Sequence, residues 1–257
     1  MLEANKTRLA LLSMLYLLLP WHIALASNTA WETLSPGLST TQLHPKPNNK
    51  NAAIRAFKID PKQYRFSIIS AKMLNQSALY ASQGIKKSSN LIAINGGFFS
   101  PNMSMLGLRI SNHKVIAPFR KVSWWGIFYV KNERAKIIPS WKYKASKKIM
   151  FALQAGPRIL INGKSPKLKS SEDPRSALCV TKQGEVILLA TANYSPSLTN
   201  LARIIKQRSS RGGLDCYNAL NLDGGSSTQL FASINKTTYS ISSLRPVSDV
   251  IIISRRN

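Results

Sequence analysis

Acidic residues are scarce: the 257 residues include 10 Asp plus Glu against 36 Lys plus Arg, a formal net charge of +26. With so few carboxylates, any acid set deep in apolar sequence calls for a partner or a purpose. Histidine is scarcer still. His22 stands in the N-terminal apolar stretch, His44 in a polar segment and His113 at a predicted turn, so a Ser-His-Asp triad lacks its middle member and a serine hydrolase using Ser226 lacks a base. Cysteine and histidine together show no ligand spacing for zinc, and neither a metal nor a cofactor is expected. Cys179 and Cys216 are the only cysteines. They could bridge in an oxidising compartment, and their apolar surroundings suit buried free thiols equally well. Signatures of helix-turn-helix, zinc-finger or RNA-binding modules are also missing, which argues against nucleic acid despite the basic charge.

Long apolar runs are missing too. The longest, residues 9–19, follows Lys6 and Arg8, ends at Pro20 and leads to Ala24-Leu25-Ala26. It falls short of the roughly 20 residues that span a bilayer, and the small-x-small ending reads as a secretory signal cut after Ala26. Residues 1–26 are therefore expected to be a signal peptide, leaving an exported chain, periplasmic or secreted, with no stable membrane span. The alternative is an uncleaved anchor. For such a chain, scattered Lys and Arg point to polyanionic partners: anionic envelope glycans, phospholipid heads or phosphorylated sugars. The same charge is also compatible with a general basic bias and no partner.

What is present describes a globular domain, with 44% hydrophobic residues, enough for a sizeable core. Residues 27–51, rich in Ser, Thr, Pro and Asn without periodicity, read as a flexible arm or linker, and residues 52–257 as one domain. Short β-type runs follow at 54–59, 64–71 and 91–94, with hairpins over 106–117 and 124–138. A strand is expected at 158–161 before the hairpin signal Asn162-Gly163, and another hairpin at 175–191. Gly163-Lys164-Ser165 imitates the end of a phosphate-binding loop, but Arg158 stands where its first glycine belongs. Residues 75–85 form a weak helix candidate. The better one carries Leu198, Leu201, Ala202 and Ile205 at helical spacing, with Ser195 or Ser197 to cap it and Gly212 or Gly213 to close it. Terminal strands follow at 228–233 and 247–254. The pattern predicts an α+β fold, a single domain on a mixed, largely antiparallel β-sheet core with few helices.

The chain is organised around Asn221-Leu222-Asp223-Gly224-Gly225-Ser226-Ser227-Thr228, a carboxylate and three hydroxyls between apolar stretches. Paired glycines let backbone take positive φ or lie against a ligand, although Asp-Gly-Gly is also an ordinary turn. Asp223 is the acid most deeply set in apolar sequence, so it should have a cationic or hydrogen-bonding partner, or a shifted pKa. Arg158, Arg175 and Arg245 are the candidate partners. A guanidinium binds a carboxylate or a phosphate through two parallel hydrogen bonds, though strand arginines also serve as edge salt bridges.

Four segments in order carry a resemblance: Asn95-Gly96-Gly97-Phe98-Phe99, Gln154-Ala155-Gly156-Pro157, Arg175-Ser176-Ala177 and Asn221 to Ser227. Their order and context resemble the phosphodiester glycosidase family over about residues 52–254, with support from Leu106-Gly107-Leu108-Arg109-Ile110 and Arg245-Pro246-Val247. Departures are Ser226 where the family usually has a third glycine, Ser176 for its Thr and Cys179 for its later Gly. The resemblance implies a hydrolase that releases a sugar from a sugar-1-phosphodiester, such as an N-acetylglucosamine-1-phosphodiester-like substrate. It implies Asp223, Arg175 and Asn95 as catalytic, with Arg158 helping Arg175 hold the phosphate. Gly96, Gly97, Phe98, Gln154, Gly156, Gly224, Gly225, Ser226, Ser227 and Thr228 would contact substrate. A phosphodiester leaves readily, so such a site mainly stabilises charge at the anomeric carbon and on the departing phosphate. The alternative is a non-catalytic envelope protein that holds anionic glycans in the same cleft.

Overall fold

The computed structural model describes residues 28–46, 48–85 and 89–256, so the leader expected over 1–26 lies outside the described residues. Strands, numbered in chain order, begin with β1 (Glu32–Ser35), β2 (Leu38–Leu43), β3 (Ala53–Ile59), β4 (Tyr64–Ser70) and β5 (Asn90–Asn95). Next are β6 (Arg109–Ser111), β7 (Lys114–Ala117), β8 (Gly126–Lys131), β9 (Arg134–Pro139), β10 (Ile149–Ala155) and β11 (Arg158–Leu160). After them come β12 (Ser176–Thr181), β13 (Val186–Ala192), the helix α1 (Leu198–Ile205), β14 (Cys216–Asn221), β15 (Leu230–Ile234), β16 (Thr237–Ile241) and β17 (Asp249–Arg255).

They form three sheets, ordered β1-β2-β3-β13-β12-β14-β11, β7-β6-β10-β8-β9 and β16-β15-β5-β17-β4. The ladders are antiparallel, for example β12 with β14 and β17 with β5. Strand alternation assigns each face. Along β12, Leu178 and Val180 enter a core that draws on all three sheets, with Phe66, Ile94, Phe128, Phe151 and Ile251. Ala177 and Cys179 point the other way, onto α1, where Leu198, Leu201, Ala202 and Ile205 meet them. The helical spacing thus has its reason, and the Ser197 side chain caps the helix by accepting from Asn200 N. In the same layer Cys179 and Cys216 form a disulfide between neighbouring strands.

The stretch expected as a flexible arm or linker over 27–51 carries β1 and β2, which extend the seven-stranded sheet from its β3 edge. Their threonines, which look like linker composition, are strand residues whose hydroxyls find backbone acceptors: Thr40 donates to Ala56 O at 3.1 Å and Thr41 to Ala30 O at 2.7 Å. Residues 75–85 are not an α-helix but lead into a 3-10 turn at Ala81–Ile85, after another at Ala71–Leu74. Gly84 there lies so close to β17 that a Cβ would sit 2.6 Å from Ile252 Cδ1, and this contact, not helical periodicity, fixes the segment. The turn at Asn162-Gly163 is real but carries only the bridge Ile161 to Lys164, and β11 pairs instead with β14.

Candidate functional site

Four strand ends from two sheets meet at one point. β5 ends at Asn95 and β17 starts at Asp249 in one sheet, while β12 starts at Ser176 and β14 ends at Asn221 in the other. Asn95, fully buried, joins them: its Nδ2 donates to Asp223 O at 2.8 Å and Gly96 O at 3.2 Å. Its Oδ1 accepts from Ser176 Oγ at 2.6 Å and Gln229 N at 3.2 Å. An Asn amide has about that many bonds to give, so this one is spent on holding the chain. Asp223 N completes the junction by donating to Gly96 O at 3.3 Å.

The Asp223 carboxylate is then presented from a fixed backbone. Burial pushes its pKa above the ordinary carboxylate value, and the nearby Asp249 charge adds to this. Hydrogen bonds from the Ser227 side chain and from Gly224 N, the latter at 3.0 Å, oppose the shift, as does the charge of Arg109. Arg109 is the cation whose charge opposes the shift, while Arg158, Arg175 and Arg245, the partners that the sequence suggests, make no hydrogen bond to the Asp223 carboxylate.

Arg109 and Asp249 are the residues that sequence reasoning missed. They form a buried ion pair at 3.0 Å, neither side chain exposed. Ser248 Oγ donates to Asp249 Oδ1 at 2.7 Å, while Arg109 Nη1 donates to the carbonyls of Gln154 at 3.0 Å and Gly107 at 3.3 Å. The signal was available, since an arginine beside Leu108 and Ile110 and an aspartate heading 250–253 are both charges in core sequence and must pair. This pair also explains the first glycine corner. A Cβ on Gly96 would stand 2.2 Å from Asp249 Oδ2, and one on Gly97 2.7 Å from Arg109 Nη2. The glycines at 96 and 97 make room for the protein's own ion pair.

Arg175 approaches from the other sheet, mostly buried. Its Nε donates to Pro196 O at 3.2 Å, and its Nη2 donates to Ser171 O at 2.6 Å and pairs with Asp173 Oδ2 at 3.3 Å. Burial lowers its pKa and Asp173 counters this, so the group stays a cation. Nη1 has no protein acceptor among the described residues and lies 3.8 Å from the Cβ position of Gly224. A free N–H donor thus faces the turn that carries Asp223. Gly224 has little space, its Cβ position being 3.0 Å from Pro174 O, whereas Gly225 takes φ +59° with nothing near it. Ser226 is exposed, and a cleft of about 590 Å³ opens beside it, lined by Asp173, Asn193, Ser195, Thr228 and Leu244.

The remaining candidates separate. Gln154 is fully buried and bound to backbone, accepting from Leu108 N and Arg120 N at 3.0 Å each and donating to Arg120 O at 2.7 Å. Arg158 packs over Gly126 and lies 5.5 Å from the Trp141 ring, with no hydrogen bond to Asp223 or Arg175. Phe98 packs tilted against Trp125 with ring centroids 5.1 Å apart, and Trp125 in turn lies against Gly156. Three buried polar atoms have no partner among the described residues: Thr228 Oγ1, Asn221 Oδ1 and Trp125 Nε1. Two of these flank Gly156, since Asn221 Nδ2 donates to Gly156 O at 3.2 Å and Trp125 Cδ1 is 2.9 Å from its Cβ position. Orphaned groups of this kind are ones that solvent or a polar ligand satisfies. Among the described residues no cluster of three or more His, Cys, Asp or Glu could hold a metal ion.

Comparison with known proteins bears on the family and the fold. A family model described as phosphodiester glycosidase matches residues 89–254. The catalytic domain of zebrafish N-acetylglucosamine-1-phosphodiester alpha-N-acetylglucosaminidase superposes with a TM-score of 0.67 at 16% identity, covering 90% of this chain and 87% of that one. A hypothetical protein from Synechocystis superposes with a TM-score of 0.61, also at 16% identity, over 90% of this chain and 64% of that one. The uncharacterized protein YigE of Escherichia coli is 29% identical over 110 residues, 38% of this chain and 43% of that protein's length. At these identities the superpositions speak for the fold.

Proposed function

The chain belongs to the phosphodiester glycosidase family, and from that premise we propose that it hydrolyses a sugar-1-phosphodiester at the Asp223 junction. Water adds to the anomeric carbon, the bond from that carbon to the phosphate oxygen breaks, and the electron pair leaves with the phosphate, which stays on the other alcohol. Asp223 accepts the proton of the attacking water. Burial raises its pKa, which makes its ionised form a better base than a solvated aspartate. Arg175 offers its free Nη1 to the phosphate as negative charge develops there. Asn95 is a positioning residue, holding the Asp223 backbone rather than touching substrate.

The observation that carries this reading is a partly buried carboxylate with a raised pKa on the turn whose Gly224 faces an unspent Arg175 guanidinium N–H. The disulfide supports an exported chain, because such bonds persist in oxidising compartments. The test is release of N-acetylglucosamine from UDP-N-acetylglucosamine and from a simple N-acetylglucosamine-1-phosphodiester. Asp223→Asn should lower kcat by about 10²–10⁴, the usual worth of a positioned base. Full turnover by the variant overturns the assignment. Tight glycan binding by the wild type without product selects the non-catalytic reading instead.

A further inference from the structure

Two loops beside the site carry a surface that hydrolysis does not require. Residues 118–125 and 140–148 contain no Asp or Glu. Their backbones are locked together. Ser140 Oγ donates to Trp125 O at 2.8 Å, Phe119 stacks on Tyr143 at 5.6 Å, and the Gln154 amide bridges Arg120 O at 2.7 Å and Ser140 Oγ at 3.2 Å. From this rigid base Trp124 and Trp141 project outward, 56% and 63% exposed. Arg120, Lys121, Lys142 and Lys144 are exposed around them, and none joins an ion pair among the described residues. Each indole packs on one side only, Trp124 edge-on to Trp125 at 5.7 Å and Trp141 with Arg158 5.5 Å from its centroid. The rest of each ring is left exposed, whereas a water–lipid interface suits a ring that is apolar with one N–H donor. Cations without counterions add attraction to anionic headgroups. The face adjoins the site, since Trp124 lies 6.5 Å from the Phe98 ring, next in sequence to Gly97.

We propose that this Trp124–Trp141 face docks the protein on an anionic lipid surface. The charge favours that partner over a neutral glycan stacked on the indoles, because a neutral glycan gives the four cations no role. The docking stands without the hydrolase reading. Only its consequence, that the phosphodiester is presented from a membrane, rests on it.

Vesicle flotation tests the idea without turnover. It uses the mature chain expected from Ser27, because the preceding apolar run would bind lipid by itself. Wild type should float with vesicles containing phosphatidylglycerol and not with phosphatidylcholine alone, and brominated lipid should quench its tryptophan fluorescence. Each cation at an anionic surface is worth a factor of about five in affinity. Lys121→Ala/Lys142→Ala should therefore weaken binding about thirtyfold, against less than about threefold for Lys206→Ala/Arg211→Ala on the helix side. Trp124→Ala/Trp141→Ala should abolish the quenching, with circular dichroism showing every variant folded. Equal losses from both lysine and arginine pairs would mean general charge attraction, and persistent quenching would mean another face. Either result overturns the proposal, as does binding of a neutral oligosaccharide to the tryptophans without binding to lipid.

Discussion

Asp223 is costly to the fold in its ionised form, and that cost is measurable apart from any activity. Its folded pKa is raised, first by burial, above the value it has in the unfolded chain. Between the two values the folded state binds more protons than the unfolded, so this residue's contribution to stability improves as pH falls through the raised pKa and levels off near the ordinary aspartate value. Asp223→Asn should accordingly raise Tm at neutral pH. The gain should shrink as pH falls through the raised pKa and be smallest below the ordinary aspartate value of about 4. A gain independent of pH, or a loss at neutral pH, would show that the carboxylate is not desolvated. If Asp223 is the proposed base, the acid limb of kcat/KM should lie above the ordinary aspartate value. The sequence disclosed Asp223, because a carboxylate between apolar runs has few bland explanations. It did not disclose what surrounds it. Arg109 and Asp249 are 140 positions apart, and which charge meets which is a matter of strand register that local sequence does not carry. Asn95 was legible as a site residue, but not as one whose four hydrogen bonds are all taken by the protein.

Elements were legible where their pattern was local. The helix α1 shows its apolar spacing and its Ser197 cap in eight residues, and hairpins such as β6 to β7 announce their turn at Asn112-His113. Strands whose identity depends on distant partners were not. β10 is buried on both faces between β6 and β8, so it lacks alternation, and its Gln154 looks like a site residue when it is a backbone clamp. β2 hides behind threonines, and β16 behind a polar, mostly exposed sequence on a sheet edge. The disulfide between β12 and β14 likewise depends on pairing, since Cys179 and Cys216 are 37 residues apart and come together only when Ala219 faces Cys179 in the ladder. Closing a loop of that length restricts the unfolded chain by about 3–4 kcal/mol in the chain-entropy treatment. The double variant Cys179→Ala/Cys216→Ala should lose about that much in denaturant unfolding while keeping the native circular dichroism spectrum. A loss below about 1 kcal/mol would mean that the strands hold their register without the bond. The β12–β14 pair leads directly into Asp223, so activity should fall at a lower denaturant concentration in the variant, in step with unfolding.

At the scale of the whole molecule, three sheets share one apolar core and the site lies where two of them exchange hydrogen bonds. The net charge acts on that assembly as a self-repulsion, with 36 cations against 10 acids. Most surface charges have no opposite partner. Beyond the buried Arg109–Asp249 pair, the ion pairs among the described residues are Lys58–Glu185, Arg175–Asp173 and Arg256–Glu133, each with a partly exposed carboxylate. Such exposed pairs contribute only about 0–1 kcal/mol, so salt has little attraction to screen and much repulsion. Screening over a Debye length of about 10 Å at 0.1 M should therefore stabilise the fold. Raising sodium chloride from 10 to 150 mM should increase Tm by several degrees, and the same step should weaken binding to anionic vesicles through loss of headgroup attraction. The two responses have opposite signs because one compares folded with unfolded chain and the other bound with free protein. A Tm that falls with salt would mean that favourable surface pairing outweighs repulsion, and the charge excess would then have to be clustered away from the folded core.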